Sequence, residues 1–163
     1  MNRLPNLFRC CVTTSAVIFA ICSATFQAKA ASWNGIEPFK SRRAEVIRIL
    51  GQPVSESADG TMRFSVMGGS VQVTFVNEKF VESKKLRPDL AGTVLEIVLQ
   101  HDHSSDTPES LKLGSNRSFT RDETQASLIF RNPKDGIAYT FQQGTLRTTR
   151  YTFADGQLTR ARR

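Results

Sequence analysis

Turn signals cut most of this chain into short pieces, and they constrain its fold more than any other feature. Gly68-Gly69, Asn132-Pro-Lys-Asp-Gly136 and Gln143-Gly144 each separate two short segments with strand character. Segments joined by such tight turns pair antiparallel, because a parallel partner needs a long crossover. The segments themselves alternate. Val71, Val73 and Phe75 are apolar while Gln72 and Thr74 are polar, the period of a half-buried strand. Met62–Met67 reads as the strand before it and Thr93–Gln100 as the strand after it. A second β-region starts at Ala126–Arg131, returns through Ile137, Tyr139 and Phe141, and ends with Leu146–Phe153. Phe64, Phe75, Phe130, Tyr139, Phe141, Tyr151 and Phe153 all fall in these strands and are expected in the core.

One helix is expected ahead of the strands, over Arg42–Leu50, with Ser41 as its N-cap. Val46, Ile47 and Leu50 share one face, which must pack on a sheet because so short a helix is marginal alone. Gly51 supplies a positive-φ stop and Pro53 prevents resumption. The segment from His101 to Glu123 is polar and rich in turn formers, with one helical turn expected around Glu109–Leu113. Lys84, Lys85 and Arg87, followed by Pro88, read as an exposed basic loop. The expected fold class is therefore α+β: a short helix packed on an antiparallel meander of about six strands. An open sheet with one helix leaves a face uncovered, so either the sheet curls on itself or that face binds something.

The first thirty residues read differently. Arg3 and Arg9 precede an uncharged, mostly apolar run that ends in Ala28-Lys29-Ala30, the pattern of a secretory signal peptide cut between Ala30 and Ala31. The division expected is a signal peptide over 1–30, one domain over 31–158 and a basic tail over 159–163. Cys10, Cys11 and Cys22 all lie in the leader, so the exported chain has no disulfide, no thiol nucleophile and no thiolate metal site. What remains, about 130 residues, is large enough to hold a core without staples. The formal charge of +7 falls when Arg3, Arg9 and Lys29 leave with the leader. A mild excess in an exported protein makes nucleic acid an unsuitable partner.

The string Trp33-x-Gly35-Ile36-x-Pro38-x-x-Ser41-Arg42-x-x-x-Val46-x-x-x-Leu50-Gly51-x-Pro53 resembles that of small exported bacterial proteins of unassigned function. In those, Thr93-Val94-Leu95-x-Ile97 and Asp135-Gly136-Ile137-x-Tyr139 have counterparts too. Its Val46-x-x-x-Leu50-Gly51-x-Pro53 part is similar to the helix-to-strand joint of the BamE (SmpA/OmlA) lipoproteins and of the β-lactamase inhibitor protein. The resemblance implies a periplasmic or secreted protein with a BamE-like or inhibitor-like helix-to-sheet unit. The lipidated cysteine of the lipoproteins has no counterpart here.

Little in the sequence specifies chemistry. There is no G-x-S-x-G elbow and no phosphate-cradling glycine motif, and no catalytic residue or cofactor is indicated. His101-Asp-His103 is the one candidate metal pair: along a strand both imidazoles would share a face, with Asp106 following. Three readings result. The first is an exported non-enzymatic domain that binds a protein or envelope component through a sheet face or through Lys84, Lys85 and Arg87. The second is a metal-binding protein or enzyme using His101 and His103, and the third a carrier of a small apolar ligand. None requires membrane insertion once the leader is gone, and the sequence leaves the oligomeric state open.

Overall fold

A computed structural model of the chain describes residues 30–162. The leader readings at residues 1–29, with all three cysteines, and Arg163 of the tail lie outside the described residues. The chain order is α1 (Arg43–Leu50), β1 (Ser55–Glu56), β2 (Met62–Val66), β3 (Gly69–Phe75), α2 (Glu78–Lys84), a 3-10 turn (Pro88–Leu90), β4 (Val94–His101), β5 (Thr120–Glu123), β6 (Leu128–Asn132), β7 (Ile137–Gln142), β8 (Thr145–Thr152) and α3 (Asp155–Ala161).

All the strands join one antiparallel sheet in the order β1-β2-β3-β4-β8-β7-β6-β5. This corrects the expected fold class: among the described residues the fold is mostly a large eight-stranded sheet with three short helices, not one short helix on about six strands. The missed elements carry weak signals for physical reasons. Strand β5, Thr-Arg-Asp-Glu, is exposed along its whole length and β1 has only two residues, so neither has an apolar face to alternate with. Both are sheet edges, where short charged strands discourage pairing with another chain. Helix α2 buries only Val81 and is set by Asn77, whose side chain accepts the Phe80 N–H at 2.8 Å. Helix α3 contains Asp155-Gly156, which reads as a turn, yet the Gln157 side chain accepts the Ala154 N–H at 3.0 Å and starts a helix there. It reaches Ala161, in place of a basic tail from residue 159.

Two four-stranded meanders thus lie side by side, joined where β4 pairs with β8. Register sorts their residues into two faces. Phe64, Val71, Leu99, Thr149, Tyr139 and Phe130 are successive partners in one row, and Met62, Val73, Ile97, Tyr151, Ile137 and Asn132 in the next. This face is covered. On the first meander Val46, Ile47 and Leu50 of α1, with Trp33 and Ile36, close over Phe64, Val71, Val73 and Ile97. On the second, Leu111, Leu113 and Phe119 of the 102–119 segment close over Phe130, Phe141 and Leu146. A third cluster, Val81, Leu86, Leu90 and Ala161, packs α2 and α3 together, with Leu95 against it. Among the described residues no helix is long and apolar enough to cross a membrane.

Details of α1 also differ from expectation. Ser41 does not cap it. Its Oγ accepts the Glu37 N–H at 3.2 Å, and its carbonyl accepts the Val94 N–H at 2.7 Å, so the turn before α1 is pinned to the start of β4. Gly51 ends the helix at φ 83°, as the Leu-Gly-x-Pro pattern requires.

Candidate functional site

The opposite face of the sheet is the most conspicuous surface of the molecule. Alternation places Arg131, Ala138, Arg150, Val98, Gln72 and Arg63 in one row across six strands. Ile129, Thr140, Thr148, Gln100, Ser70 and Ser65 form the row beside it. None of these twelve side chains is buried, whereas most of their counterparts on the covered face are. The composition explains the difference: threonine, serine and glutamine suit a pleated surface that stays wet.

Over the second meander this face dips into an open groove of about 350 Å³. Thr140 and Thr148, directly paired across β7 and β8, form its floor with Ala138, and Ile129, Pro133 and Phe153 line it as well. Arg131 and Arg150 flank Ala138, each one strand away, so the small alanine leaves a notch between two guanidinium stems. Each arginine also meets a carboxylate. Arg131 pairs with Asp122 on β5, and Arg150 Nε lies 3.6 Å from Glu96 on β4. The groove is therefore nearly neutral, mostly apolar and furnished with threonine hydroxyls, a surface suited to apolar contact and hydrogen bonding.

The two histidines have different surroundings. His101, the last residue of β4, turns to the covered face, where its Nε2 is 2.9 Å from Thr149 Oγ1. Burial holds its pKa below the ordinary histidine range, against the opposing pull of Asp106. His103 lies on the surface beyond the strand, in an open depression shared with Asp102, Ser105 and the cationic Arg147. Among the described residues no three histidine, cysteine or acidic side chains are grouped to hold a metal. His101 belongs instead to a polar seam between the two large core clusters. Tyr139 and Tyr151 sit in that seam, and burial raises both phenol pKa values. Asp106 adds to the shift at Tyr139, and Tyr139 to that at Tyr151.

The basic residues read as a loop are more ordered than expected. Lys84 ends α2, Lys85 follows in the left-handed region at φ 53°, and the Arg87 N–H donates to the Ala161 carbonyl at 2.9 Å. At the cleavage point expected from the sequence, Ala30 is buried and the Ala31 N–H donates to the Asp135 carbonyl at 2.7 Å, so this segment lies against the β6–β7 hairpin.

Sequence reasoning offered an open face as one of two outcomes, the other being a sheet curled on itself, and located none of its residues. The signal was present in the polar halves of the alternating strands, notably Thr140, Thr148 and Arg150. It becomes readable only when strand order is known. No known protein family, curated protein or solved structure matches the chain.

Proposed function

We propose that this protein is an exported, non-enzymatic binding domain that docks a protein or another envelope component on the open face of its sheet. The observation that carries this reading is the contrast between the two faces: one packed under α1 and the 102–119 segment, the other, among the described residues, with none of its alternating side chains buried across six strands. A large sheet face free of covering elements, with a groove where apolar contact and hydroxyl groups meet, has the make-up of a recognition surface. The leader pattern at residues 1–30 and the likeness of the Leu50-Gly51-x-Pro53 joint to exported bacterial proteins support the export part.

The test is capture from envelope extracts with residues 31–163 as bait, beside a Thr148→Arg variant that fills the groove floor and a Lys112→Glu control on the other face. The reading expects a species retained by wild type and by the control, and lost with Thr148→Arg. Equal recovery with Thr148→Arg, or recovery of nothing above background at ample bait concentration, would sink it.

A further inference from the structure

A second surface lies at the end of the sheet where α2 and α3 meet, and the groove has no part in it. The basic stretch after α2 and the basic end of the chain are more than seventy residues apart in sequence. The fold ties them together. Leu86 and Arg162 form an antiparallel bridge, the Arg87 N–H bonds to the Ala161 carbonyl, and Leu86 and Ala161 share one apolar cluster. Lys84, Lys85, Arg87, Arg160 and Arg162 are thereby brought to one place, all exposed at the surface.

Two of these charges have an ordinary explanation. Lys84 and Arg160 stand in the last turns of α2 and α3, where a cation offsets the partial negative charge of a helix C-terminus. Arg87 is partly offset by Asp89, 3.5 Å away. Lys85 and Arg162 follow as the C-caps of the same two helices, so each helix end carries two cations, and Glu82 is the one acidic residue in the last turn of either helix. Five cations thus gather where Glu82 and Asp89 are the nearby acidic residues in sequence, and the patch carries an excess of positive charge.

We propose that this end of the fold is a peripheral docking surface for a bilayer rich in anionic phospholipid. The chemistry favours lipid over an acidic protein. The interior of a protein interface is built on aromatic and apolar anchors and is depleted of lysine. Here Val81, Leu86, Leu90 and Ala161 are all buried beneath the charges, and the large exposed apolar side chains, Val54 and Met67, belong to the β1–β3 region. Long cationic side chains above a sealed core match a fluid array of phosphates, which needs charge but no fixed geometry. Each lysine or arginine near such a surface raises binding about fivefold.

The experiment is co-sedimentation of residues 31–163, which contain every described strand and all three core clusters, with vesicles at about 0.1 M salt. Vesicles of equal phosphatidylglycerol and phosphatidylcholine are compared with pure phosphatidylcholine. Three double variants are compared with wild type: Lys84→Gln/Lys85→Gln, Arg160→Gln/Arg162→Gln, and the remote control Lys112→Gln/Arg117→Gln. Circular dichroism checks that each is folded. The expected result is binding to the anionic vesicles alone, a loss of roughly twentyfold with each of the first two variants, and none with the control. Thr148→Arg, which closes the groove, leaves vesicle binding intact, so this surface and the groove stand or fall separately. Equal binding to both vesicle types overturns the proposal, as does a loss in the control matching the others or an effect confined to one of the two segments. Capture of soluble polyglutamate with the same affinity and the same sensitivity to the variants would assign the patch to acidic polypeptide instead.

Discussion

The two meanders of this protein solve one problem by different means. Each presents an apolar face that must be covered. The first is covered by α1, whose hydrogen bonds are internal and whose apolar stripe arrives preformed. The second is covered by the 102–119 segment, which has no regular helix. That segment organises itself locally: Thr107 N–H donates to Ser110 Oγ, and Ser110 N–H donates to Thr107 Oγ1. It is fastened to β8 where the Leu146 N–H donates to the Asp106 carbonyl at 3.0 Å. A cover of this kind needs more side-chain bonds per buried residue, because an irregular backbone leaves polar groups to be satisfied individually. The comparison teaches that a covering layer requires a few well-placed apolar anchors, here Leu111, Leu113 and Phe119, and not a helix as such.

The sharpest way to break the comparison is to hollow out each core in turn. Phe64→Ala and Phe141→Ala remove fully buried rings from the first and second meander, and each is expected to cost about 3–5 kcal/mol. Trp33, the only tryptophan, packs on the first cluster and reports on it alone. If the meanders form one cooperative unit, Phe141→Ala shifts the Trp33 fluorescence transition in urea as far as the circular-dichroism transition. A tryptophan signal unmoved by Phe141→Ala would show two independent halves.

A smaller but more local effect is expected at the β6–β7 hairpin. Gly136 has φ 69°, and a Cβ there would stand 2.2 Å from the Thr152 carbonyl oxygen of β8. Gly136→Ala should cost at least about 2 kcal/mol, through backbone strain on the second meander. An unchanged urea midpoint would mean that the hairpin moves aside freely. Next comes the irregular cover: Ser110→Ala removes the hydroxyl that accepts the Thr107 N–H and donates to the Thr107 carbonyl, and should cost about 1 kcal/mol. A cost near zero would show that the apolar anchors alone hold the segment down.

The subtlest test uses the polar seam between the halves. Burial lowers the pKa of His101 in the fold, so the unfolded chain binds the proton more readily. Stability is therefore complete above the ordinary histidine value. It falls as pH drops through that value and levels off below the folded one. His101→Gln should flatten this dependence in urea midpoints measured across the range. A wild-type profile already flat there would place the imidazole in a wetter setting than its bond to Thr149 suggests.

How much of this was legible in the sequence follows from where each signal originates. Strands β2, β3, β4, β7 and β8 announce themselves because one face is buried and alternation records it. Helix α1 does so through Val46, Leu50 and the Gly51-x-Pro53 stop. Strand β5 has no buried face, so its pairing with β6 is invisible until the sheet exists. The groove was hidden for a related reason. Arg131, Ala138 and Arg150 become neighbours only through register, and β4 with β8 pair across more than forty intervening residues. His101-Asp-His103 was conspicuous as a string, yet His101 bonds to Thr149 while His103 lies exposed beyond the end of β4.

One feature of the topology bears on the life of the chain before it is folded. The last strand to be made, β8, occupies the centre of the sheet, between β4 and β7. While the chain emerges from the ribosome, β4 stands as an unpaired edge carrying Val94, Ile97 and Leu99, with its proper neighbour still unmade. The two halves can begin to form early, but neither is shielded until residue 152 is available. Assembly is thus gated by β8, and the interval in which a bare inner strand is exposed is set by how quickly residues 102–152 are delivered.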